Sequence, residues 1–193
     1  MKKVFSALLI YMVMSALLAG CGGSSSGSPY AGRETVSLDG YESMADYEGE
    51  SRMVDTTVKE IDELMSSGES FVFFASYDDC PYCNRILPYL NDAVTDADTY
   101  CGFLDTRKDP DWMTNMDIDD YDLFVKRFGK YLDEDENGDK HLYTPDLYVI
   151  KDGKVVSEHQ GVIEGADDPE QPLTSSQEEE LRELLKNMLA ELD

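Results

Sequence analysis

The sequence predicts an α/β domain with a central mixed β-sheet flanked by helices. Three observations point there. A buried strand, Phe71-Val72-Phe73-Phe74, runs through a polar turn into Cys80-Pro81-Tyr82-Cys83 and on into a helical pattern. From residue 52 to the C-terminus, segments with apolar residues at helical spacing alternate with short strand-like runs. Asp152-Gly153 then marks a tight hairpin between two late strands.

Ahead of this domain, residues 1–20 read as a signal peptide: Lys2 and Lys3, an apolar run from Val4 to Leu18, then small residues. The apolar core is short for a transmembrane helix. Leu18-Ala19-Gly20-Cys21 resembles the bacterial lipobox, which implies that Cys21 is lipidated, becomes the first mature residue and anchors the chain outside the cytoplasm on the cell membrane. Residues 21–51 begin rich in Gly and Ser and continue polar and acidic, so they read as the lipidated cysteine and a flexible tether, with a weak strand signal over 34–38. As a random coil the tether spans on the order of 30 Å. The domain occupies 52–193.

Thr57 and Glu60 form a capping box before Val58, Ile61, Leu64 and Met65, which share a helical face up to a stop at Gly68. The strand Phe71–Ala75 follows, then a helix from the cysteine pair to about Val94, and Tyr100–Asp105 reads as the next strand. Residues 107–120 read as a long loop carrying Trp112, the only tryptophan. Asp120 can cap a helix whose Tyr121, Phe124, Val125 and Phe128 share a face, loosening at Gly129. Thr144–Ile150 and Lys154–Glu158 read as the hairpin strands, and 161–173 as a connection. Ser175 with Glu178 caps a last helix, whose stripe is Leu181, Leu184, Leu185, Met188 and Leu189.

The chemistry sits at the first strand-to-helix junction. Cys80 lies at a helix N-terminus, where unpaired N–H groups and the helix dipole favour thiolate over thiol, so it is the candidate nucleophile. Cys83, one turn on, is the candidate resolving thiol. A metal site would need further ligands, and Cys101, His141 and His159 are scattered, so no metal and no cofactor are expected. A purely structural disulfide here would close a tiny loop and add little stability. Asp78 and Asp79 directly precede Cys80; their charge opposes the dipole, and with Pro81 they tune the site. Cys101 reads as a small buried residue on its strand. Asp133-x-Asp135-x-Asn137-Gly138 matches the first half of a calcium loop, but position twelve is Thr144 rather than Glu, and an acidic turn is the favoured reading.

The chain from about Arg52 to Asp193 resembles the thioredoxin-like thiol-disulfide oxidoreductases. The resemblance rests on the Cys-x-x-Cys pair, on Pro88 eight residues after Cys80 in the position of a helix-kinking proline, on Tyr143-Thr144-Pro145-Asp146-Leu147-Tyr148-Val149 and on the hairpin after it. It implies the thioredoxin fold, a cis Pro145 beside the cysteines, and a Thr144 backbone that pairs with an extended substrate. Tyr82 is expected to be exposed and to touch substrate. One departure is that Phe71–Phe74 contains no aspartate of the kind many thioredoxins bury before the motif. Pro81-Tyr82 is the dipeptide of glutaredoxins, yet the acidic flank is a poor cradle for glutathione.

With a net charge of -25, the chain is set against nucleic acid and anionic lipid headgroups, and the acidity reads first as a solvated surface. The expected partners are thiols or disulfides of exported proteins and a redox protein in the membrane. The direction of exchange is not encoded in these patterns. The alternative reading is a noncatalytic lipoprotein that keeps the fold to hold exported peptides, for instance as an accessory to bacteriocin or other secretion.

Overall fold

A computed structural model describes residues 27–107 and 116–193. The signal peptide, Cys21 and Trp112 lie outside the described residues.

Five strands form the main sheet: β1 (Met53–Asp55), β2 (Phe71–Ser76), β3 (Cys101–Asp105), β6 (Asp146–Lys151) and β7 (Lys154–Gln160). Their order is β1-β3-β2-β6-β7, with β1, β3 and β2 parallel and β6 and β7 antiparallel to their neighbours. This is the thioredoxin fold. Helices α1 (Val58–Ser67) and α3 (Ile118–Phe128) cover one face; α2 (Pro81–Asp96) and α4 (Ser175–Ala190) cover the other. A two-stranded ribbon, β4 (Asp133–Glu134) with β5 (Lys140–His141), precedes β6.

β2 is buried along its whole length because both its faces are roofed. Val72 and Phe74 enter the core under α2 and α4, and Phe71, Phe73 and Ala75 enter the core under α1 and α3. Phe73 stacks on Tyr148 of β6 with centroids 4.9 Å apart, so the second core is aromatic at its centre. At the β6–β7 turn Asp152 and Gly153 both take positive φ, as a two-residue hairpin requires.

Several expectations need correction. The tether does not stay free from residue 28 on: Tyr30, Leu38, Tyr41 and Met44 are buried. Residues 28–50 form a strap that crosses from one face of the sheet to the other past β1. Tyr30 joins the α1/α3 core, while Leu38, Tyr41 and Met44 join the α2/α4 core. The expected strand at 34–38 is only a single bond from Val36 N–H to the Met53 carbonyl, 2.8 Å long. Asn91, fully buried on α2, holds the end of the strap by accepting from Arg52 N–H and donating to the Glu50 carbonyl. The domain therefore begins before residue 52.

Cap positions also shift. Thr57 accepts from Glu60 N–H, but the Glu60 carboxylate turns away to Thr56 and Arg33, so only half of the box forms. Asp117, not Asp120, caps α3. Thr174 and Gln177 make the full box of α4, one residue ahead of the expected Ser175 and Glu178. β6 starts at Asp146 rather than Thr144, because Pro145 carries no amide hydrogen to donate to the ladder.

Candidate redox site

The central strand β2 ends at Ser76, and Tyr77, Asp78 and Asp79 carry the chain round to Cys80, the N-cap of α2. Pro81 occupies the first helical turn, where a missing amide hydrogen costs nothing. Cys80 and Cys83 are joined by a disulfide. The Cys83 amide donates to Cys80 Sγ at 3.1 Å, so a helix-terminal N–H is aimed at the sulfur that would carry charge after reduction. Cys83 is fully buried, and Cys80 is covered by the residues around it.

The Thr144–Pro145 peptide is cis, as the resemblance implied. It delivers the Thr144 carbonyl oxygen to 3.8 Å and its Oγ1 to 3.7 Å from Cys80 Sγ. The Pro145 carbonyl accepts from Gly161 N–H at 2.8 Å, which ties the end of β7 to this corner. Pro88 sits inside α2.

Of the residues expected at the site, Cys80, Cys83, Thr144 and Pro145 come together. Asp78, Asp79 and Pro81 are exposed on its rim. Asp79 forms an ion pair with Arg107, whose guanidinium also lies 3.8 Å from the Tyr77 ring centroid, so the charge beside Cys80 is partly compensated. Tyr82 differs from expectation. It is only partly exposed, and its hydroxyl donates to the Asp167 carbonyl at 2.6 Å, pinning the connection between β7 and α4 against α2. Arg85 reinforces this contact by donating to the carbonyls of Ala166 and Asp168, each at 2.9 Å. Sequence reasoning missed Arg85, Arg107 and Asp167 as parts of the site, since each acts across a long separation in the chain.

Sequence reasoning also missed Asp146. It is 1% exposed, its Oδ2 accepts from the Tyr148 hydroxyl at 2.6 Å, and its Oδ1 has no hydrogen-bond partner among the described residues. Burial, with Glu158 close by, pushes its carboxyl well above the ordinary carboxylate range. The signal was an aspartate inside the apolar run that makes β6.

Cys101 is a buried free thiol, and burial pushes its pKa up. The Asp133–Asp139 segment is strand β4 with the turn that leads into β5. Asp135 accepts from Asn137 N–H and Asp139 N–H, and these bonds hold its carboxyl down to about 2. Among the described residues no group of three or more His, Cys, Asp or Glu is arranged to hold a metal ion.

No protein-family model matches the chain, and no curated protein matches it. Among solved structures, a mutant thioredoxin from Halobacterium salinarum NRC-1 is 15% identical, covering 73% of this chain and 96% of that one, with a TM-score of 0.41. A thioredoxin from Aeropyrum pernix is 21% identical, covering 67% and 84%, with a TM-score of 0.36. At such values the likeness carries no weight on activity, and the fold stands on the strand order and helix placement above.

Proposed function

We propose that this protein is a thiol-disulfide oxidoreductase working through Cys80 and Cys83. The observation that carries the reading is the Cys80–Cys83 disulfide at the start of α2 with the Thr144 carbonyl, at a cis peptide, 3.8 Å from Cys80 Sγ. An extended peptide laid along Thr144 would bring its own cysteine to Cys80.

In the reducing direction the Cys80 thiolate attacks one sulfur of a substrate disulfide. A Cys80–substrate bond forms, the substrate S–S bond breaks, and the departing sulfur leaves as a thiolate that takes up a proton. The Cys83 thiolate then attacks Cys80 Sγ, which restores the Cys80–Cys83 bond and expels the second substrate thiol. Two electrons pass to the substrate. The reverse sequence oxidises a substrate dithiol, and a partner protein resets the pair in either case. The lipobox-like Leu18-Ala19-Gly20-Cys21 supports placing this chemistry outside the cytoplasm on a lipid anchor, with exported proteins as substrates and a membrane protein as the redox partner.

Single-cysteine variants test the reading. Cys83→Ser leaves the nucleophile without its resolving thiol, and incubation of the reduced variant with a disulfide-bonded protein should accumulate a mixed disulfide at Cys80, read as a mass adduct. Cys80→Ser should form none. Equal adducts on both variants, or none on either, contradict the assignment and favour a protein that only holds peptides.

A further inference from the structure

We infer that this site selects cysteine-containing peptide segments that carry positive charge, and that the carboxylates bracketing the Cys80–Cys83 pair, with the exposed ring of Tyr143, do the selecting. The inference rests on the thiol-disulfide reading and adds the class of substrate.

The site itself is the disulfide beside Thr144; what its surroundings decide is which segments reach it. On one side Asp78 and Asp79 directly precede Cys80 and are exposed. On the other side, the Tyr82 hydroxyl and the Arg85 guanidinium hold the carbonyls of residues 166–168, which fixes the exposed Asp167 and Asp168 beside the first turns of α2. Among the described residues two cations are near, and both are already engaged: Arg85 on main-chain oxygens, Arg107 on Asp79 and the Tyr77 ring. The four carboxylates therefore outweigh the two guanidinium groups around Cys80.

A second feature lies one residue along the chain from Thr144, where the Tyr143 ring sits 6.0 Å from that of His141. Tyr143 is 53% exposed, one of three large hydrophobic residues left so among the described residues, and it immediately precedes the residue that touches Cys80 Sγ. A peptide paired along Thr144 would carry its neighbouring side chains past this ring. Lysine or arginine there gains attraction to the aromatic face and to the rim carboxylates, whereas acidic neighbours are repelled. The same field disfavours glutathione, whose carboxylates are anionic. The overall acidity of the chain would solvate any face; the placement of carboxylates on both sides of this reactive bond, on backbone that is held, is what makes this face selective.

The test uses the whole chain, reduced, with two disulfide-linked peptides that differ only in having Lys or Glu on both sides of the cysteine. Each rate is divided by that peptide's rate with dithiothreitol, which removes intrinsic differences in disulfide reactivity. The Lys peptide should react about tenfold faster at low ionic strength, with the ratio falling steeply in ~0.5 M salt. Asp78→Asn, Asp168→Asn and Tyr143→Ala should each lower the ratio, while Asp152→Asn, in the turn at the far end of β6, should leave it unchanged. A ratio near one, or a ratio that none of the three site substitutions moves, overturns the inference while leaving the redox reading intact. Failure to exchange with either peptide, together with a Cys80–Cys83 pair that cannot be reversibly reduced, overturns both.

Discussion

Asp146 is sealed between Pro145 and Leu147 with one oxygen on Tyr148 and the other without a hydrogen-bond partner among the described residues. Ionising it there is costly, since burial strips the charge of water and Glu158 of β7 adds repulsion. Its folded pKa is raised from 3.8 to about 8, so between those values the folded state holds a proton that the unfolded chain has released. Its contribution to stability is thus fully present below about pH 4 and is progressively lost as pH rises toward 8. Asp146→Asn, which keeps an acceptor for Tyr148, should lose less stability than the parent between pH 5 and pH 8, by on the order of a few kcal/mol in urea melts. Parallel pH profiles for the two proteins would contradict this. Cys101 gives a second residue-scale test. Its burial raises the thiol pKa, so a maleimide added to the native protein should leave Cys101 unmodified until denaturant is added, as read by peptide mass.

At the scale of single elements, caps and close approaches dominate. Thr57 Oγ1 accepts from Glu60 N–H at the start of α1, and Thr57→Ala should cost about 1 kcal/mol by chemical denaturation with no effect on redox behaviour. Gly102 in β3 lies under the ring of Tyr30, and a Cβ there would come within 2.5 Å of the Tyr30 hydroxyl oxygen. Gly102→Ala should therefore destabilise by about 1–3 kcal/mol, and Tyr30→Leu in the same chain should relieve the clash, because it removes both the hydroxyl oxygen and Cζ, which would lie 2.6 Å from that Cβ. Strictly additive losses for the two substitutions would contradict the placement of Tyr30 over β3. These elements also mark how far sequence reading reaches. β2, the cysteine pair and α2 were legible because a buried apolar run, a proline at the first helical turn and an apolar stripe all act locally. The box at Thr57 was half wrong because Glu60 has a better partner in Arg33, which lies 27 residues earlier in the chain.

For the whole molecule, the strap over residues 28–50 is the feature that the sequence did not disclose. Its buried residues, Tyr30, Leu38, Tyr41 and Met44, are separated by polar stretches with neither helical nor strand period, and their burial depends on an uncovered edge at β1 and an uncovered side of α2. The Tyr41 hydroxyl bonds Ser76 Oγ at 2.8 Å, and Ser43 N–H donates to Asn84 Oδ1, so the strap touches both the strand before the cysteines and the helix after them. A chain beginning at residue 52 should melt several degrees below one beginning at residue 27, because several large apolar side chains lose their burial; equal melting temperatures would return these residues to the status of a tether. In contrast, the central mixed sheet and the cis Thr144–Pro145 peptide were expected from the resemblance that the motifs carry, while the edge strand β1 (Met53–Asp55) was not, being three residues with no alternating pattern to mark them. Redox equilibration of Cys80 and Cys83 across a series of dithiothreitol or glutathione buffers, read by thiol trapping and mass, decides whether the pair exchanges. The account predicts a single reversible two-electron transition that involves both cysteines and is abolished by either Cys80→Ser or Cys83→Ser. A pair that stays bonded in every buffer, or that opens irreversibly, would contradict it.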